Sequence, residues 1–448
     1  MIRPVVSILL AGSLLSGCAS YHAAPLGTAS NVLAAPDPAI LSADAAKLDR
    51  PFLTPQPIDL TQPLTPNALA VIAVLENPDL KAQRLKASVT DAQAFSARLL
   101  PDPTFQGSFD KLLSGSDEFN GFGGQIGFDL NQLRMSRVTR QSGAAAKQQV
   151  RLDLAWAEWQ AAGQARLQGV RVLALTAQLE IARASAAQAD RLFAATGHAT
   201  GRGDLAGADL DARRQTLLDI TDKVRVAEQA LTTARGELNK VLGLPPETVL
   251  RLAPPAEPAI APDSAKLVAQ AIDRRLDLQA LRAGYGVAEA ELHKAVLDQF
   301  PTLSLTMAYA RDTADNRTLG PQVGFSLPLW NRNRGGIAIA KATREQVHAE
   351  YDARLFQTRA DIDAAVAGLV TVRRQKAELT AQLPQLEKFA EATARAARRG
   401  DLAPATADTA AQSLRDRRLT LLQLDQQIAE QTIALELLSG GPSEGWTQ

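Results

Sequence analysis

The sequence predicts a mainly α-helical chain with a small β part, assembled from one helix–strand–helix unit present twice. Three observations predict it. The 46% hydrophobic content of the 448 residues comes mostly from Ala and Leu, with 4% aromatics, which favours helices packed at close range over one thick core. The same residue pattern returns in the second half of the chain at a nearly constant offset. No proline occurs between Pro103 and Pro245, which leaves room for helices far longer than the ordinary mean of about 11–12 residues.

Lys+Arg and Asp+Glu both number 48, so no large basic surface for nucleic acid is implied. The N-terminus is more specific. Met1–Arg3 is a short basic start, Val5–Leu15 is apolar, and Leu15-Ser16-Gly17-Cys18 follows, the layout of a signal peptide over residues 1–17. No other apolar run approaches the roughly 20 residues of a membrane-spanning helix. LSGC resembles the bacterial lipoprotein box, and that resemblance implies cleavage before Cys18 and acylation of its thiol. Cys18 is the chain's single Cys and cannot form an internal disulfide. An ordinary secretory peptide with a chance Cys is the alternative. Ala19, in place of the Asp that retains such lipoproteins at the inner membrane, points to the outer one.

Residues 18–64 are rich in Pro, Ala, Asp and Thr without sustained periodicity and read as an extended tether. A proline-rich linker, 244–263, separates a first repeat (65–243) from a second (264–440), and 441–448 form a tail. The halves are copies. Asp79-Leu80-x-Ala82-x-Arg84 returns as Asp277-Leu278-x-Ala280-x-Arg282, and Pro103-Thr104 as Pro301-Thr302. Gly127-Phe128 returns as Gly324-Phe325, Arg202-Gly203-Asp204-Leu205-Ala206 as Arg399-Gly400-Asp401-Leu402-Ala403, and Gly243 as Gly440.

Each unit reads as a helix, two strands and two long helices. Thr65-Pro66 is an N-cap followed by proline at the first helical position, and the helix is expected to reach about Leu100, before Pro101 and Pro103. Alternating apolar residues place strands near Thr104–Leu113 and Phe122–Leu130, with counterparts from Leu303 to Tyr309 and Val323 to Leu329. From about Arg134 to Thr196 nothing interrupts a helix, and some 60 residues at ~1.5 Å each make a rod of about 90 Å. Gly203 offers a left-handed stop and Asp204 an N-cap for the return helix; Gly400-Asp401 repeats the turn.

Strands of about ten residues can cross a tilted bilayer path, but an open sheet edge in lipid costs several kcal/mol per unpaired group. The smallest barrels use about eight strands, so four cannot close. Three chains supply twelve, with the helices continuing below as a second tube. The alternative is a soluble helical bundle capped by four short strands.

Leu75-Glu76-Asn77-Pro78-Asp79-Leu80, Phe325-Ser326-Leu327-Pro328-Leu329-Trp330, and Arg399-Gly400-Asp401-Leu402-Ala403 followed by Leu414 together resemble the TolC family of outer-membrane efflux proteins. The resemblance extends over nearly all of the chain after Cys18. It implies a homotrimer with a twelve-stranded β-barrel above a long α-helical barrel. It also implies docking of the coiled-coil ends onto a periplasmic adaptor (membrane fusion) protein, which links them to an inner-membrane pump of resistance-nodulation-division type. No catalytic residue and no cofactor is implied.

Within that resemblance, Gly203-Asp204-Leu205-Ala206 and Gly400-Asp401-Leu402-Ala403 fall on the adaptor-docking hairpin tips, where Gly and Asp also turn the chain. Asp209 matches an acidic constriction position. Asp408 lies near the second-unit ones, whose own places hold Thr406 and Thr409. The Tyr and Arg of some members' gates are replaced by Ala397 and Leu402. A solvated-face reading for Asp209, Asp211 and Asp408 stands beside the pore-ring reading. Pro384 has no first-unit counterpart and is expected to kink its helix, letting the second hairpin bend inward.

Leu329-Trp330-Asn331-Arg332-Asn333-Arg334-Gly335-Gly336 resembles the heavy-metal-exporting branch, and physically places a Trp at a bilayer interface. Three Met and four His form no metal-ligand pattern, so metal cargo rests on that segment alone. No Walker loop, dinucleotide fingerprint, HExxH or Cys/His pair is present, which argues against an enzyme. The remaining rivals are a periplasmic adaptor and a structural coiled-coil lipoprotein without a pore.

Overall fold

The computed structural model describes residues 20–27, 33–255 and 263–441. The signal-peptide segment 1–17 and Cys18 lie outside the described residues. The chain divides into two units, Met1–Pro36 and Asp37–Gln448. In the first, residues 20–27 are exposed and carry no regular element.

The second unit opens with α1 (Pro38–Lys47), inside the stretch expected to be extended. The local chemistry explains it. Asp37 accepts hydrogen bonds from the N–H groups of Ala39 and Ile40, and Pro38 occupies the first helical position, the N-terminal signature of a helix. Residues 41–64 then join the main core through Leu41, Phe52, Ile58 and Leu64. The Phe52 ring stands edge-on to Trp159 at 4.9 Å, and Leu64 bridges to Leu252 across the chain. This segment is a packed strap.

The expected first helix is broken into α2 (Pro66–Glu76) and α3 (Pro78–Ser96). Asn77, at ψ 122°, leaves the helix and caps the next through the Leu80 N–H, while its amide donates to the Val241 carbonyl at 2.9 Å. The second repeat breaks at the matching place, between α6 (Ser264–Arg274) and α7 (Leu276–Leu297), where Arg275 has ψ 122°. A shared device holds both breaks. Arg84 donates to the Val74 carbonyl, and Arg282 to the Ile272 carbonyl at 3.1 Å, satisfying C-terminal carbonyls that the break orphans. Gly243 and Gly440 end long helices at φ 67° and 75°, and pack so closely on the breaks that a Cβ would meet the Glu76 oxygen at 2.3 Å and the Arg275 nitrogen at 2.9 Å.

Strands β1 (Thr104–Asp110), β2 (Gly121–Asp129), β3 (Leu303–Arg311) and β4 (Arg317–Phe325) form one antiparallel sheet in that order. Its register sorts side chains by chemistry. Phe105, Ile126, Met307 and Pro321 share one row, and Phe128, Leu305 and Val323 another, on one face. The alternate rows, Thr104–Gly127–Thr306–Gln322 and Gln106–Gln125–Ala308–Gly320, are polar or small, as a period of two requires. The apolar face is uncovered, with Phe105 74% and Phe325 62% exposed. The two outer edges, β1 and β4, pair with nothing among the described residues.

Below the sheet run α4 (Leu130–Gly201, 72 residues) and α8 (Arg334–Arg398, 65 residues), returned by α5 (Gly207–Leu242) and α9 (Pro404–Ser439). At ~1.5 Å per residue α4 is about 110 Å long, and Asp129 caps its first N–H groups. Next to the sheet, helices touch in the order α3, α4, α7, α8; further away α5, α4, α9, α8 are in contact. Small residues permit close approach: a Cβ at Gly163 would lie 2.4 Å from Leu437. The mainly helical, internally duplicated fold with four strands is as expected.

Candidate functional site

The two hairpin tips are built alike. Gly203 and Gly400 sit at φ 81° and 82°. The Asp204 N–H donates to the Ala199 carbonyl at 2.9 Å and the Gly203 N–H to Thr200 at 3.0 Å. Asp401 and Gly400 repeat this with Ala396 and Ala397. These are paired C-terminal capping bonds that only a left-handed residue allows. Asp204 is not the N-cap of the return helix. Its carboxylate accepts from Arg202 at 2.9 Å, as that of Asp401 does from Arg399 at 2.9 Å. The return helices start later, after Ala206 and Ala403. Beyond each ion pair Leu205 and Leu402 are 43% and 39% exposed.

The acidic residues past the tips divide in role. Asp209 is exposed, and its carboxylate accepts the Ala206 N–H at 3.2 Å, closing the first turn of α5. Asp211 pairs with Arg214 one turn on, at 3.4 Å. Asp408 differs: it accepts from Arg213 at 3.0 Å, tying α9 to α5. This bond crosses one end of a groove of about 600 Å³ between the hairpins, whose walls include Lys223, Arg417, Asp219 and Asp416. Pro384 lies inside α8, which is helical on both sides of it. The structure thus brings Asp408 to a link between the repeats and leaves Asp209 on a helix end.

Sequence reasoning missed the buried charges at mid-height. Glu158 is 1% exposed and accepts from Arg50 of the strap and from Arg84 of α3 at 2.8 Å. Arg166 and Glu436, both buried, meet at 3.1 Å across the repeats, and burial pushes the Arg166 guanidinium below its usual range. Asp277 is held by Arg275 at 2.7 Å and Arg354 at 3.3 Å. Asp153, exposed at its outer edge, has its carboxyl raised above the usual carboxylate range by partial desolvation and by the charge of Asp277. The duplicated Asp79/Asp277 and Arg84/Arg282 carried a signal, since charged residues kept in both copies mark the helix breaks. Glu158 and Arg166 carried none, because their partners lie far away in sequence. Among the described residues no group of three or more His, Cys, Asp or Glu is placed to hold a metal ion, and no helix is long and apolar enough to cross a membrane.

Residues 267–441 match the family described as outer membrane efflux protein. The cobalt-zinc-cadmium resistance protein CzcC of Cupriavidus metallidurans is 25% identical over 353 residues, 73% of this chain and 77% of that protein. Among solved structures, CusC, described for its folding and transmembrane channel formation, superposes with a TM-score of 0.68. It is 19% identical, and the match covers 91% of this chain and 99% of that one. The CmeC outer membrane channel of Campylobacter jejuni gives 0.71 at 16% identity, covering 84% and 85%. The expected resemblance to TolC-type efflux channels is borne out, and the solved structures share the fold.

Proposed function

We propose that this outer-membrane efflux chain is one third of a trimeric export duct, which receives substrate from a periplasmic adaptor and an inner-membrane pump and releases it outside the cell. One observation carries the reading: the wall is open in the same way at two levels. The sheet runs β1 to β4 with both edges unpaired, and the helices beneath run α3 to α8 in the matching order. Joining β4 and α8 of one copy to β1 and α3 of the next satisfies every edge, which lipid demands. Three copies make twelve strands. The apolar rows then face lipid and the Gln, Thr and Gly rows face water.

The hairpin tips at Gly203–Ala206 and Gly400–Ala403 offer the adaptor an exposed leucine behind a locked turn, and Asp408 with Asp209 lies where the tube narrows. An acylated Cys18 would add a lipid anchor. For cargo we favour metal cations, on the likeness to CzcC and on the Asn331–Gly335 segment, and the chain itself offers them passage with no binding cluster among the described residues.

Purified protein in planar bilayers tests the reading. A trimer with steady single-channel conductance is expected. A monomeric protein without conductance sinks it and favours an adaptor or a poreless coiled-coil lipoprotein.

A further inference from the structure

We infer that the junction between sheet and helices is a binding collar for anionic phospholipid, centred on Trp330 and Arg332; this rests on the membrane reading above. Every strand end on the helical side carries an exposed apolar residue: Leu100, Leu133, Phe300 and Trp330 are 65%, 43%, 51% and 86% exposed. The junctions at 129–137, 298–302 and 326–334 are tied into one band. Arg134 donates to the Pro301 carbonyl at 3.3 Å, Asn333 to the Ala295 carbonyl at 2.8 Å, and the Thr302 N–H to the Ser326 hydroxyl at 2.9 Å. The apolar face of β4 continues into it, with Leu327 and Leu329 keeping the odd-numbered alternation and 63% and 58% exposed.

Charge makes the band selective. Segments 98–103, 129–137, 298–302 and 326–334 hold five arginines against three aspartates. One of those aspartates, Asp129, is engaged in capping α4. The turns at the far end of the sheet, 110–120 and 311–317, reverse the balance with three basic and five acidic residues. Arg98, Arg137 and Arg332 are exposed and form no ion pair among the described residues. An indole two residues from a guanidinium without an ion pair, below an apolar sheet face, suits a phosphate headgroup with its acyl chains alongside.

The test titrates the detergent-solubilised full chain with phosphatidylglycerol and, separately, phosphatidylethanolamine, reading bound lipid by native mass spectrometry. The parent is expected to prefer phosphatidylglycerol. Arg332→Gln should weaken that lipid about fivefold, the equivalent of ~1 kcal/mol per basic residue near an anionic surface. Arg317→Gln, at the opposite end, should change nothing, and Trp330→Ala should weaken both lipids. Equal binding of the two lipids by the parent, or undiminished phosphatidylglycerol binding by folded Arg332→Gln, overturns the inference. Bilayer conductance of the same preparation separates the two readings: conductance without lipid preference removes the collar alone, and a missing conductance removes the duct.

Discussion

Arg213 reaches Asp408 across one end of the inter-hairpin groove, at 3.0 Å, in an ion pair that joins α5 of one repeat to α9 of the other. Both side chains keep about a quarter of their surface exposed, 26% and 22%, so the bond is worth about 1 kcal/mol at most. That is enough to shift a balance between two hairpin positions about fivefold. Arg213→Ala and Asp408→Ala should each raise the open-channel fraction in bilayers by that order. The exchange Arg213→Asp with Asp408→Arg should restore it. Unchanged gating in both single variants would place Asp408 on a merely solvated face.

The Glu158 clasp is structural. Removing its carboxylate takes the shared partner from Arg50 and Arg84, whose side chains are 33% and 30% exposed, and losing charge-assisted hydrogen bonds of this kind costs ~1–3 kcal/mol. Glu158→Ala should lower the denaturation midpoint strongly and expose the strap to protease between Arg50 and Leu64. Arg50→Ala, whose side chain is 33% exposed, should cost clearly less.

Glycine substitutions separate backbone strain from crowding. At Gly203 nothing lies within 4 Å of an added Cβ, so Gly203→Ala should cost only the left-handed penalty of about 1–2 kcal/mol. At Gly440 the same penalty is joined by a contact of 2.9 Å with the Arg275 backbone. Gly440→Ala should therefore destabilise more in chemical unfolding. Equal losses would refute the proposed packing of helix end on helix break.

Asp153 predicts a pH effect of defined sign. Its carboxyl is raised in the folded chain, so the native state binds this proton more readily than the unfolded one. The unfavourable contribution is fully present above the raised value, shrinks as pH falls through it, and is gone below the unfolded value of 3.8. Asp153→Asn should therefore stabilise the chain at neutral pH, and the advantage should fade in acid. An advantage that grows on acidification would show that another group dominates.

Pro384 interrupts α8 without ending it. It withholds the N–H that the Thr380 carbonyl four residues earlier would receive, while the Thr380 hydroxyl donates back to Lys376. An interior proline costs about 3 kcal/mol, so Pro384→Ala should raise the melting temperature. It should also hold the second hairpin straighter and change conductance. Unchanged conductance would remove Pro384 from the gating reading.

The duplication, the strand parity and both tip glycines were legible because each is written locally, by period or by a residue of special backbone freedom. The break at Asn77-Pro78 was also written, as an N-cap followed by proline, but it lay inside an apolar run that reads as one helix. Asp37-Pro38 carried the same signature for α1, masked by ten residues that bury only Leu41 and Ala45. The roles of Asp204 and Asp408 were hidden for different reasons. Asp204 could cap the return helix or pair with Arg202, and the guanidinium of Arg202 won. The partner of Asp408 sits in the other repeat, and only folding brings the two together.

The matched order of strands and helices has a consequence for heredity. For a ring of three copies, one chain with a spoiled edge opens the whole wall, in lipid and in the periplasm alike. When normal and edge-damaged chains are made in equal amounts and mix freely, only about one ring in eight is assembled from sound copies alone. A proline placed in β4 at Val323 or in β1 at Gln106 should therefore act dominantly, silencing export from cells that still carry an intact gene.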